Sequence, residues 1–177
     1  MSLHLRRRVP RRLPRPPWRA GVLVKHIGRR AYTDGVQPLA TSAFFAIALV
    51  SLCVVLHYET LVLLERLSRR LGRHRWTTLI TVHCLLFAHV VEIWVFGLGY
   101  YLAETYLDLG QVVPLEEPDW FHHVYYSAMV YTTVGFGDLV PTGAIRMLSS
   151  TEALAGLSLV TWSASFTFLQ MQRSWRA

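Results

Sequence analysis

The chain has 177 residues, of which 53% are hydrophobic and 16% charged, with 18 Lys plus Arg against 11 Asp plus Glu for a net charge of +7. This composition excludes a disordered chain and is unlike a soluble enzyme of the same size. A basic and greasy chain fits a bilayer with basic ends better than a nucleic-acid partner, and none is expected. Cys53 and Cys84 both lie in apolar stretches, so no disulfide framework or thiolate metal cluster is indicated.

Residues 1–35 read as a basic, disordered tail. Ten of the basic residues fall within positions 1–30, without an acid, and Pro10, Pro14, Pro16 and Pro17 interrupt any helix. Val36 to Tyr58 then runs for 23 residues without Asp, Glu, Lys or Arg. A helix of that length covers the ~30 Å hydrocarbon core, and a first transmembrane helix is expected over 36–67. Arg66, Arg69, Arg70, Arg73 and Arg75 follow and read as a short connector of membrane-anchoring arginines. A voltage sensor would instead place arginines inside an apolar helix.

Trp76 to Ala103 is a second apolar run of 28 residues with Glu92 as its only acid, and Trp76, Tyr100 and Tyr101 mark its ends as interfacial aromatics do. Glu104 to Ile145 holds six of the eleven acids and neither Lys nor Arg. Within it, Trp120 to Tyr131 is an apolar-aromatic stretch of twelve residues, too short to cross a bilayer and suited to a re-entrant pore helix. Pro118 precedes it, and Asp119 is the expected N-cap. Ala153 to Gln172 supplies a last uncharged run of 20 residues, within an inner helix expected over 148–172.

Thr132-Thr133-Val134-Gly135-Phe136-Gly137-Asp138 follows the short helix directly, with Pro141 beyond. Replacing the hydration shell of an ion by backbone carbonyls needs successive carbonyls aimed to one side. That demands alternating backbone conformations, some with φ > 0, which glycine reaches at least cost. With this motif between two spans, residues 76–173 resemble the potassium-channel pore family: outer helix, pore helix 120–131, filter 133–138, inner helix. The chain is also similar to small bacterial one-pore channels in His57-Tyr58-Glu59 and in Trp162-Ser163-Ala164-Ser165-Phe166.

The resemblance implies an all-α membrane protein of three transmembrane helices plus a re-entrant pore helix and filter loop. It implies a homotetramer that passes K⁺ down its gradient, in a cell membrane of the bacterial inner-membrane type. No enzymatic activity and no cofactor beyond permeant K⁺ are implied. K⁺ would bind carbonyls of Thr133, Val134, Gly135 and Phe136, with the Thr133 hydroxyl innermost. Val134 and Phe136 would turn away from the ion and wedge against the pore helix. Thr132, Tyr125 and Tyr126 would support the filter, one of the two tyrosines offering its hydroxyl to Asp138. Phe136 stands where Tyr is usual, which leaves a weakly selective cation channel as the alternative.

Other polar residues stand in apolar surroundings. His89 and Glu92, three apart, share one helical face; they read as a gating pair, as a packing pair, or, with His83, as ligands of a haem or redox protein. Glu152 is placed to brace the filter from behind. Gly156 reads as a gating hinge or as a site of close helix packing. His122 and His123 open the pore helix near Glu116, Glu117 and Asp119, and are candidates for pH sensing because histidine titrates near neutrality.

Overall fold

The computed structural model describes residues 37–72, 75–114 and 121–175. Pro38 is accommodated in the first turn of helix α1, Gln37–Leu71, where its missing N–H costs nothing. Gly72, at φ 80°, closes that helix in the left-handed conformation, its N–H reaching the Ser68 carbonyl at 3.2 Å. Helix α1 thus runs four residues past the expected end at Leu67. Arg66, Arg69 and Arg70 sit on its last turns, not in a connector. Glu65 explains the extension: it accepts from Arg69 at 3.1 Å and from Arg173 at 2.9 Å. Arg73 lies outside the described residues.

Helix α2 spans Arg75–Thr105, three residues longer than its apolar run, and α4 spans Ile145–Trp175, three residues beyond each end of the expected 148–172. Among the described residues three helices, Pro38–Leu71, Trp76–Thr105 and Ile145–Arg173, are long and apolar enough to cross a membrane. Together with the family matched below, they make the chain a multi-pass membrane protein.

Between α2 and α4 lies the ten-residue helix α3, His122–Tyr131. At ~1.5 Å per residue it measures about 15 Å, half a hydrocarbon core. Phe121, not Asp119, occupies its N-cap position, and its carbonyl accepts from the Val124 and Tyr125 N–H groups. Asp119 and Trp120, like Glu116, Glu117 and the tail 1–35, lie outside the described residues. Strands β1, Val112–Pro114, and β2, Leu139–Pro141, pair antiparallel with Val113 opposite Val140.

The core gathers where α2, α3 and α4 meet, around the fully buried Phe96, Tyr100, Tyr131, Ile145 and Leu148. Two glycines let the helices approach. A Cβ on Gly97 would lie 2.9 Å from Val124 Cα, and one on Gly156 would lie 2.3 Å from the Tyr131 carbonyl oxygen. Helix α1 packs along α4 and closes on it at one end, where Ser42 donates to the Ala144 carbonyl at 2.7 Å.

Candidate functional site: the loop after the short helix

Helix α3 ends by turning its own polar groups inward. Thr132 is the C-cap; its hydroxyl donates to the Ala128 carbonyl at 2.6 Å. The chain then runs from Thr133 to Asp138 with positive φ at every second residue: Thr133 at 60°, Gly135 at 54° and Gly137 at 82°. Glycine takes these values readily, but a β-branched Thr at φ 60° is strained by roughly 1–3 kcal/mol. The two glycines announce their conformation in the sequence, whereas the left-handed conformation of Thr133 is unannounced, because nothing in a threonine signals it. Alternation of this kind turns successive carbonyls toward one side of the strand.

The loop is held at both ends. Gly135 N–H donates to the Met129 carbonyl at 3.2 Å. At the exit, Tyr125 donates its phenolic proton to Asp138 Oδ2 at 2.8 Å. That bond to a carboxylate raises the Tyr125 pKa above the usual tyrosine range. Tyr126 does not reach Asp138: it faces the other way, 2.8 Å from Ser149 Oγ, with its ring edge-on to Tyr100. The exit runs directly into β2, whose pairing with β1 ties residues 139–141 to the end of α2.

Val134 and Phe136 depart from expectation. They are 53% and 72% exposed and do not wedge against α3. Residues 132–138 are all exposed within one chain. A loop this short, with alternating conformations, turns its side chains away from its own helix.

Behind α3, Glu152 of α4 is fully buried with Oε1 2.5 Å from Ser127 Oγ, and its other oxygen accepts from Tyr100. Ser127 Oγ also lies 2.8 Å from the Ile93 carbonyl. Glu152 therefore buttresses the helix that leads into the loop, with Ser127 and Tyr100 as partners the sequence did not single out. Gly156 lies within the uninterrupted helix α4 against the Tyr131 carbonyl, the arrangement of a packing glycine.

His89 and Glu92 come together, with Nδ1 3.1 Å from Oε2. Their company differs from the expected set. His57 of α1 places Nδ1 2.9 Å from Glu92 Oε1, and Tyr131 donates to Glu92 Oε2. Ser163 Oγ lies 3.0 Å from His89 Nε2 and 3.3 Å from His57 Nε2. His83 is elsewhere, with its ring on the Leu79 carbonyl of its own helix at 2.8 Å. The haem reading through His83, His89 and Glu92 therefore loses one of its three residues. His57 and Ser163 stood in sequence only as parts of short resembling runs, since their convergence needs the packing of α1 and α4.

His122 and His123 stack at 3.9 Å between ring centroids, and His123 Nε2 lies 2.9 Å from Glu104 Oε2. Glu104, at the end of α2, also accepts from the Val112 N–H. It was missed because it stands 19 residues away, as one of several acids in the connector.

Residues 87–173 match the family described as an ion channel, a stretch that begins inside α2 and ends with α4. No curated protein and no solved structure matches the chain.

Proposed function

The chain belongs, through residues 87–173, to the two-span, potassium-channel-like ion-channel family, and on that premise we propose that it is a potassium-selective channel. Helix α3 is the re-entrant pore helix, and residues 133–138 are the filter. Carbonyls of Thr133, Val134, Gly135 and Phe136 coordinate K⁺, with the Thr133 hydroxyl at the inner end. The observation that carries this reading is the positive φ at Thr133, Gly135 and Gly137 in succession. An ordinary turn has no use for three such residues at alternate positions, one of them a strained threonine.

One chain carries one such loop, and enclosing an ion requires a closed ring of loops. A C4 homotetramer in a cell membrane supplies it, and neighbouring subunits cover Val134 and Phe136. Asp138 and the acids of the outer connector concentrate cations at the mouth. The chain acts by passing ions down their gradient, without catalysis. Phe136 in place of Tyr supports the alternative of weaker selectivity, because the loop then lacks one phenolic tie. Flux from proteoliposomes, comparing wild type with Gly135→Ala, tests the assignment: K⁺ flux in the first and none in the second is expected.

A further inference from the structure

We propose that His57, His89 and Glu92 form a binding site for a divalent transition metal of the Zn²⁺ class, stapling α1 to the segment that leads into the filter loop. His57 and Glu92 are fully buried, and the three residues offer donor atoms that all lie within 4.8 Å of one another. Both imidazoles turn Nδ1 toward one carboxylate: His57 Nδ1 is 2.9 Å from Oε1, and His89 Nδ1 is 3.1 Å from Oε2. A tetrahedral ion with ligand bonds of ~2.0–2.2 Å separates its donors by roughly 3.3–3.5 Å. Opening each contact by a few tenths of an ångström therefore admits the ion. Tyr131 OH, 2.9 Å from His89 Nδ1, is at hand as a fourth ligand or as a support for Glu92.

Proton counting favours a cation. Ser163 Oγ faces the Nε2 atoms of both imidazoles. If both rings are neutral and carry their proton on Nδ1, toward Glu92, then Ser163 has one proton for two acceptors. If both carry it on Nε2, Ser163 accepts two hydrogen bonds and every Nε2 contact is satisfied. Both Nδ1 lone pairs then point at a carboxylate, an arrangement that a metal ion between them turns from repulsive to bonding. The mixed tautomer, in which Ser163 accepts from one ring and donates to the other, also satisfies both Nε2 contacts but leaves one Nδ1 lone pair facing the carboxylate; with a metal bound, Ser163 orients both rings through Nε2, as partners of metal-bound histidine do. A single added proton on one ring also satisfies the contacts, and the test separates the two.

An approach exists. Glu92 helps to line an open cavity of about 380 Å³ between α1 and α2, together with His83 and Cys84. His57 lies outside residues 87–173, so an ion here joins α1 to the pore segment. Through Tyr131 it touches the residue two positions before Thr133. The group Glu104, His122 and His123 has donors equally close, but its members are only half-buried.

The probe is Co²⁺, added to the purified full-length protein in detergent and followed by metal analysis and visible absorption. The expected result is about one Co²⁺ per chain with the intense bands of tetrahedral coordination. Loss of that ion is expected in His57→Gln, and binding weakened 10- to 100-fold in Ser163→Ala. The double variant His122→Gln, His123→Gln should retain the ion, which separates this site from the half-buried group. No uptake by monodisperse wild type, as an added proton alone predicts, overturns the proposal. So does uptake unchanged in a monodisperse His57→Gln, His89→Gln variant. The readout is binding, so absence of ion flux would count against the channel reading and leave this one standing.

Discussion

Gly156→Ala is the substitution whose consequence follows most directly from the packing of α4 on α3. The added Cβ would lie 2.3 Å from the Tyr131 carbonyl oxygen and 3.0 Å from its carbon, about 1 Å short of ordinary van der Waals contact. The obstacle is backbone at the last residue of α3, so no side chain can swing aside. Either α4 moves away or the end of α3 shifts, and Thr132 and Thr133 follow it. Overpacking of this kind costs about 1–3 kcal/mol. On the proposed function, a shift there moves the carbonyls of the loop and should impair ion flux. Thermal unfolding in detergent and K⁺ flux from proteoliposomes read the two effects. Both should fall in Gly156→Ala. A variant with wild-type stability and altered open time alone would favour a hinge at Gly156; unchanged stability and flux would refute the packing argument.

Gly135→Ala places a Cβ at φ 54°, where it meets nothing within 4 Å in its own chain; the backbone penalty of about 1–2 kcal/mol per left-handed residue should still end selective conduction while leaving the fold intact, as circular dichroism and flux together would show. Tyr125→Phe removes the bond to Asp138 and should loosen the filter exit, read as faster loss of current during sustained opening. Because the bond to Asp138 raises the Tyr125 pKa, the contribution of this bond is complete below the ordinary tyrosine value of ~10. It is lost only as pH rises through the raised value, so wild type should converge on Tyr125→Phe at strongly alkaline external pH and not at acid pH. His123→Gln breaks the 2.9 Å contact between the end of α2 and the start of α3 at Glu104 and should lower the thermal unfolding temperature in detergent; an unchanged temperature would remove that contact from the support of α3.

Much of the fold was legible because a membrane imposes its own period on sequence. Runs of 23, 28 and 20 uncharged or nearly uncharged residues can hardly be anything but spanning helices. The ends were less legible: Glu65, Arg69 and Arg173 carry α1 on to Leu71 through an ion-pair cluster that joins residues 108 apart. Gly135 and Gly137 announce their backbone, since few other residues can adopt it, and Thr133 does not. Tyr125 and Asp138 were within reach of counting along one helix. Ser127, Tyr100, His57 and Ser163 were not, since each acts on a residue of another helix, at separations set by packing. Glu92 and Glu152 showed in sequence that something polar must be buried, without showing what would meet it. Val134 and Phe136 mark a different limit, for apolar residues in an apolar motif do not announce that they will stand exposed on their own chain.

The central claim is that residues 133–138 select K⁺. Its most direct test is a comparison of K⁺ with Na⁺ flux through the purified protein in liposomes under equal gradients. The account predicts K⁺ flux well above Na⁺ flux, lost in Gly135→Ala. Equal passage of the two ions, or K⁺ flux that survives Gly135→Ala unchanged, would contradict it.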